Sequence, residues 1–120
     1  MENDPVDDFD QLNVIKADFK ASGKVLAAIG DETRQHIIMV LIAAGCEGVR
    51  VGEITAQTHL SRPAVSHHLK ILKDAGIVLV YKVAAMNYYY LDLSSWINNL
   101  KMLTVNIENM LLKQSSKGGQ

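Results

Sequence analysis

Residues 60–76 read Leu60-Ser61-Arg62-Pro63-Ala64-Val65-Ser66-His67-His68-Leu69-Lys70-Ile71-Leu72-Lys73-Asp74-Ala75-Gly76. Ser61 is placed to cap a helix, and Pro63 falls in the first turn, where a missing N–H costs nothing. Gly76 ends it. At ~100° per residue, with Val65 at zero, Leu69 lies near ~40° and Leu72 near ~340°, one apolar stripe. Ser66, Lys70, Pro63 and His67 fall between about 100° and 200°, a small, polar and basic face. Such a face admits close approach to base edges and offers donors to phosphates.

The helix sits in an informative order. Before it, Glu53 to Thr58 is long enough for a short helix with Ile54 inward, and His59-Leu60-Ser61 is a tight connection. Short helix, three-residue turn and longer helix make a helix-turn-helix, whose second helix enters the major groove. After it come Ile77–Tyr81 and Tyr88–Leu91, two β-prone runs read as a hairpin with a six-residue tip from Lys82 to Asn87. A hairpin there makes a winged helix. The hairpin tyrosines are expected to pack the sheet.

Upstream, Phe9, Leu12, Ile15 and Phe19 mark an amphipathic helix ending near Ser22-Gly23, and Val25, Leu26 and Ile29 a shorter one closed by Gly30. Asp31 caps a third helix with Ile37, Ile38, Leu41 and Ile42 inward and Gly45 as its stop; Cys46 to Arg50 is a loop. In the last helix Trp96, Leu100, Leu103, Ile107 and Met110 recur at a period of about 3.5, the seam of a helix packed along another. The expected fold is mainly α with a small β-hairpin wing. Residues 1–8 are expected to be disordered and acidic, 9–113 to form a single domain, and 114–120 to fray.

Composition bounds the function. The 120 residues are 48 % hydrophobic and 21 % charged, with one cysteine and net charge −1. No apolar run approaches the ~20 residues of a membrane span. The acidic start is unlike a signal peptide, and a lone cysteine gives no disulfide framework; a cytoplasmic protein is expected. The total charge hides an asymmetry. Residues 1–10 carry Glu2, Asp4, Asp7, Asp8 and Asp10 without a base, leaving the rest at +4; residues 50–82 alone are +3, with three histidines. Affinity for a polyanion follows the local field. No nucleophile–base pair, metal-ligand cluster or glycine-rich phosphate loop is present, so an enzyme is not expected.

Ile29-Gly30-Asp31-Glu32-Thr33-Arg34, Val51-Gly52-Glu53-Ile54 and the run from Leu60 to Val78 resemble the ArsR/SmtB family of winged-helix repressors. The resemblance spans about residues 24–92. It implies a homodimer paired through the first and last helices and bound to a palindromic double-stranded DNA operator. The interface would hold Phe9, Leu12, Ile15, Phe19, Trp96, Leu100, Leu103, Ile107 and Met110. Many members sense metals. Aligned on Glu53-Ile54, one family site's Cys-x-Cys positions are Arg50 and Gly52 here, and the last helix has no histidine for the other. No metal and no cofactor are therefore expected.

The resulting expectation is a sequence-specific transcriptional regulator, with a recognition helix over about 61–75. Ser61, Ser66 and Lys70 would meet phosphates; Arg62, Pro63, Ala64 and His67 would face bases, Arg62 being shaped for bidentate contact with guanine. Lys82 and Asn87 would touch from the wing tip, and Arg34, a cation at a helix start, would find a phosphate. His68, bordering the apolar stripe, is expected to pack with a hydrogen bond. A winged helix used for protein contacts without an operator is the alternative. The releasing signal stays open between a small apolar molecule, oxidation of Cys46, an unfamiliar metal site and none.

Overall fold

The structure, a computed structural model, describes residues 5–118. Six helices run α1 Pro5–Ala21, α2 Gly23–Ile29, α3 Glu32–Ala44, α4 Val51–Thr58, α5 Arg62–Asp74 and α6 Ser95–Gly118; strands β1 Val78–Val83 and β2 Met86–Leu91 stand between α5 and α6. Pro5–Asp8 and Gln114–Gly118 are thus helical where the sequence reading expects disorder and fraying. Residues 1–4 and 119–120 lie outside the described residues.

The chain divides into two compact units. One is Lys24–Trp96, the winged helix. Ile37, Leu41, Ile54, Val65, Leu69, Leu72, Ile77 and Val78 are at most 1 % exposed and make its core. On α3 the inward face is Ile37, Val40 and Leu41, while Ile42 is 62 % exposed. A helix apolar on nearly every side does not reveal its inward face, so periodicity alone selects Ile42 where the fold buries Val40.

α4 packs on α5, and α3 packs on α4, α5 and β2. The His59 turn has left-handed backbone, φ 59°, and closes α4 with a bond from its N–H to the Thr55 carbonyl. Ser61 Oγ accepts from the Ala64 N–H at 3.2 Å and starts α5. Gly76, φ 80°, then turns the chain so that Ile77 and Val78 enter the core.

The hairpin is tighter than expected. β1 and β2 pair antiparallel from Val78 opposite Leu91 to Val83 opposite Met86. Only Ala84 and Ala85 form the turn, with Ala84 at φ 55°. Lys82 and Asn87 are cross-strand partners rather than tip residues. The wing is also tied to the loop before α4, a link absent from the sequence reading: Val49 and Tyr89 exchange backbone hydrogen bonds of 2.9 and 2.8 Å. Tyr81, Tyr88 and Tyr90 pack together, with the Tyr81–Tyr88 rings stacked at 5.3 Å and Tyr90 edge-on to Tyr81.

The second unit comprises the terminal helices, up to Gly23 and from Ile97. Asn106 Nδ2 donates to Asp18 at 2.7 Å and Lys113 pairs with Asp8 at 2.6 Å. The two contacts order α1 and α6 antiparallel. Leu103 and Met110 are buried, whereas Phe9, Leu12 and Phe19 are at least half exposed.

Gly48 allows the Val49–Tyr89 bridge. Its φ is 79°, and a Cβ there would lie 2.9 Å from the Tyr89 carbonyl oxygen. Gly48→Ala is expected to cost about 1–3 kcal/mol through that strain, measured by urea unfolding. Gly45→Ala, with positive φ but open space around it, should cost less.

Candidate nucleic-acid interface

α5 is held by its apolar stripe, so its other side is fixed in place. Val65, Leu69 and Leu72 are fully buried, and Ser61, Arg62, Pro63, Ser66, His67 and Lys70 are exposed; Ala64 is half-buried. The sequence-derived set on α5 therefore shares one accessible surface. Lys70 reaches along the helix to Asp74, with Nζ 3.0 Å from the carboxylate. Both groups are well exposed, so this pair is worth under ~1 kcal/mol and leaves Lys70 free to change partners.

The wing stands beside α5. By the register, Val80, Lys82, Asn87 and Tyr89 share the strand face that carries buried Val78. Val80, Asn87 and Tyr89 line a groove of about 430 Å³ with Ser66, Leu69, Lys70, Lys73 and Asp74. Ser66, Asn87 and Tyr89 also line a second groove of about 310 Å³, which Arg50, Val51, Arg62, Ala85 and Met86 complete. The two grooves share those three residues, so they form one trough between recognition helix and wing.

Arg62 takes an unexpected direction. Its Nη2 lies 3.2 Å from where a Cβ on Gly52 would stand, so the guanidinium rests over the first turn of α4. Arg50, just before α4, is the contributor that sequence reasoning missed. Its backbone N–H donates to Glu53 Oε1 at 3.1 Å, and the Glu53 N–H returns a bond to the Arg50 carbonyl. The backbone is thus satisfied without the side chain. Two arginines on separate elements, brought together only by a turn, leave no periodic signal in the sequence.

Arg34 and His68 lie elsewhere, in a network that joins α2, α3 and α5. Arg34 Nε donates to the Ala28 carbonyl at 2.7 Å, and Nη1 lies 3.2 Å from His68 Nδ1 and 3.6 Å from Asp31 Oδ2. Gln35 Nε2 donates to the Ile29 carbonyl at 2.7 Å. These side chains satisfy carbonyls that the end of α2 leaves open. The Arg34 side chain is 14 % exposed. The cation at a helix start is accounted for by these partners, without the phosphate that the sequence reading assigns to it. Among the described residues no three His, Cys, Asp or Glu side chains converge as a metal site. No described helix is long and apolar enough to cross a membrane.

Asp31 caps α3, its Oδ1 accepting from the N–H groups of Thr33 at 2.7 Å and Arg34 at 3.2 Å. The bond from the Arg34 N–H leads the effects that hold its carboxyl below the ordinary range, helped by the Thr33 N–H and the Arg34 charge and opposed by desolvation. A depressed folded-state value means that the cap stabilises fully above the unfolded value of 3.8 and fades as pH falls through the folded one. Unfolding measured against pH should therefore show the wild type losing its advantage over Asp31→Asn only in acid, below that range.

Residues 31–80 match the model of the arsR family of bacterial regulatory proteins. The chain is 36 % identical over 73 residues to an HTH-type transcriptional regulator of Methanocaldococcus jannaschii, covering 61 % of this chain and 80 % of that one. It is 34 % identical over 68 residues to the transcriptional repressor SdpR of Bacillus subtilis, covering 57 % and 72 %. The fold is also that of an ArsR-like transcriptional regulator from Rhodococcus, with TM-score 0.63 at 23 % identity over 84 % of this chain and 89 % of the other. Sequence, winged-helix architecture and these relatives agree: the chain belongs to the ArsR family of transcriptional regulators.

Proposed function

We propose that the protein is a sequence-specific double-stranded DNA-binding repressor that acts as a homodimer. The observation that carries this reading is the exposed face of α5, which presents Pro63, Ser66, His67 and Lys70 on a helix whose opposite side is locked in the core. Small residues admit the helix to a major groove, His67 beside Pro63 and Ala64 meets base edges, and Ser61, Ser66 and Lys70 meet phosphates. Lys82 and Asn87 approach from the wing. The name of the Bacillus subtilis relative supports repression. The exposed apolar side chains Phe9, Leu12 and Phe19 support a second copy against α1 and α6. Ile15, Trp96, Leu100 and Ile107 are half-buried, while Leu103 and Met110 are buried already.

Two recognition helices would then enter successive major grooves about 34–36 Å apart on a two-fold operator. Selection from random duplexes should recover inverted repeats with that spacing. His67→Ala should cost roughly 1–3 kcal/mol on the selected site and relax preference at one base pair of each half-site. Recovery of no duplex would favour the protein-contact alternative.

The dimer has its own test. Leu12→Glu places a charge on the exposed flank of α1, and sedimentation equilibrium should then show a monomer where the wild type sediments as a dimer. A wild type that is itself monomeric would end the paired-helix reading.

A further inference from the structure

The trough between α5 and the wing has a chemistry of its own at one end. Arg50 and Arg62 both line the groove of about 310 Å³, and among the described residues no acidic one lines it with them. Among the described residues neither guanidinium takes part in an ion pair or a hydrogen bond. The two arginines come from different elements: Arg50 from the residue before α4, and Arg62 from the first turn of α5. They can approach one groove because Gly52 has no side chain in the space where the Arg62 guanidinium rests. The neighbouring groove on the other side of Arg50 is different. Arg50 lines it as well, but with Glu47 and Glu53 beside Tyr81 and Tyr88, so the acidic side chains outnumber the arginine and an anion is favoured on the α5 side.

We infer that Arg50 and Arg62 form a two-armed grip on the DNA sugar-phosphate backbone, running in the trough between recognition helix and wing. This rests on the DNA-binding reading above and goes beyond it in naming Arg50 and in moving Arg62 from base edge to phosphate. The geometry of a duplex supports it. With α5 in a major groove and the wing over the adjoining minor groove, the strand that separates the two grooves must pass between those elements. On the helix wheel Arg62 falls near ~60° and Lys73 near ~80°, on the flank toward the wing, whereas His67 near ~200° faces outward. Guanidinium forks match phosphate oxygens in a bidentate manner, and unpaired ones engage without first giving up a partner. Ser66 and Asn87 supply neutral donors farther along, and Lys70 and Lys73 close the far end.

The test uses the full chain and a mixed-sequence duplex, because a backbone grip needs no operator. Arg50→Ala and Arg62→Ala change exposed side chains, and melting curves establish that both variants fold. Each variant is expected to bind the mixed duplex roughly three- to tenfold more weakly at low salt. The slope of log K against log salt should become shallower by about 0.9 for each phosphate no longer neutralised. The double variant should weaken binding by less than the product of the singles, since both arms hold one segment of backbone. Gly52→Ala, which crowds only the far end of Arg62, should fall between wild type and Arg62→Ala. Affinity and slope equal to wild type in Arg50→Ala would overturn the grip. So would an Arg62→Ala variant that keeps its slope but loses discrimination among selected duplexes, since that returns Arg62 to the bases. A wild type that binds neither mixed nor selected duplex sinks the DNA-binding reading itself, and the grip with it.

Discussion

The burial of Val65, Leu69 and Leu72 sets the rotation of α5, and everything proposed for the surface depends on that rotation. Each is at most 1 % exposed. Burying a side chain of this kind stabilises by about 1.5–3 kcal/mol. Turning the helix by one residue would bring all three toward water and carry Ser66 inward. Preferences among exposed polar groups are worth a fraction of that, so the apolar stripe decides. Gly76 extends the constraint to the wing: its left-handed turn sends Ile77 and Val78 into the same core. Helix and hairpin are thereby placed relative to each other by shared buried residues, and the trough between them follows.

The parts of the fold legible in the sequence are those written by local periodicity and local caps. The stripe of α5, the Ser61 and Asp31 caps and the Gly45 stop all act within a few residues, and each is present. The wing shows where local reading ends. Ala84-Ala85 carries no turn signal of the Asn-Gly kind, so nothing local announces a two-residue turn, and Lys82 and Asn87 read as tip residues although they pair across the strands. α1 shows the same limit from another side. Its acidic start looks unfit to fold, yet the helix begins at Pro5, a residue that suits a first turn, and Lys113 meets Asp8 from the far end of the chain. That last pairing joins residues far apart in the chain, beyond any window of sequence.

The candidate site divides in the same way. Its α5 face is readable because a single helix carries it. Arg50 is not, because its significance depends on a turn that brings α4 and α5 side by side. In the sequence it counts toward the positive stretch 50–82 and as a residue unable to supply a thiolate, with no sign of its neighbour Arg62. Arg34 has partners that the sequence does not display. A cation in a first helical turn is unfavourable for the dipole, but the Ala28 carbonyl, His68 and Asp31 already satisfy it. Arg34 thereby joins three helices.

The two ends of the trough differ in what an incoming anion must displace. At the α5 C-terminal end, Lys70 is paired with Asp74, and the carboxylate lines the groove beside it. An approaching phosphate meets Lys73 and a nearly neutral Lys70–Asp74 pair there, and from Lys70 gains only the difference between two weak, well-solvated pairings. At the other end, among the described residues, both guanidiniums are unpaired and no carboxylate lines the groove. The attraction is therefore concentrated beside the turn between α4 and α5, although the chain as a whole carries net charge −1. Local field and not total charge governs the approach of a polyanion. Arg50 and Arg62, the latter resting over Gly52, make that field; the positive stretch 50–82 carries the charge, and only the turn between α4 and α5 brings its two arginines to one groove.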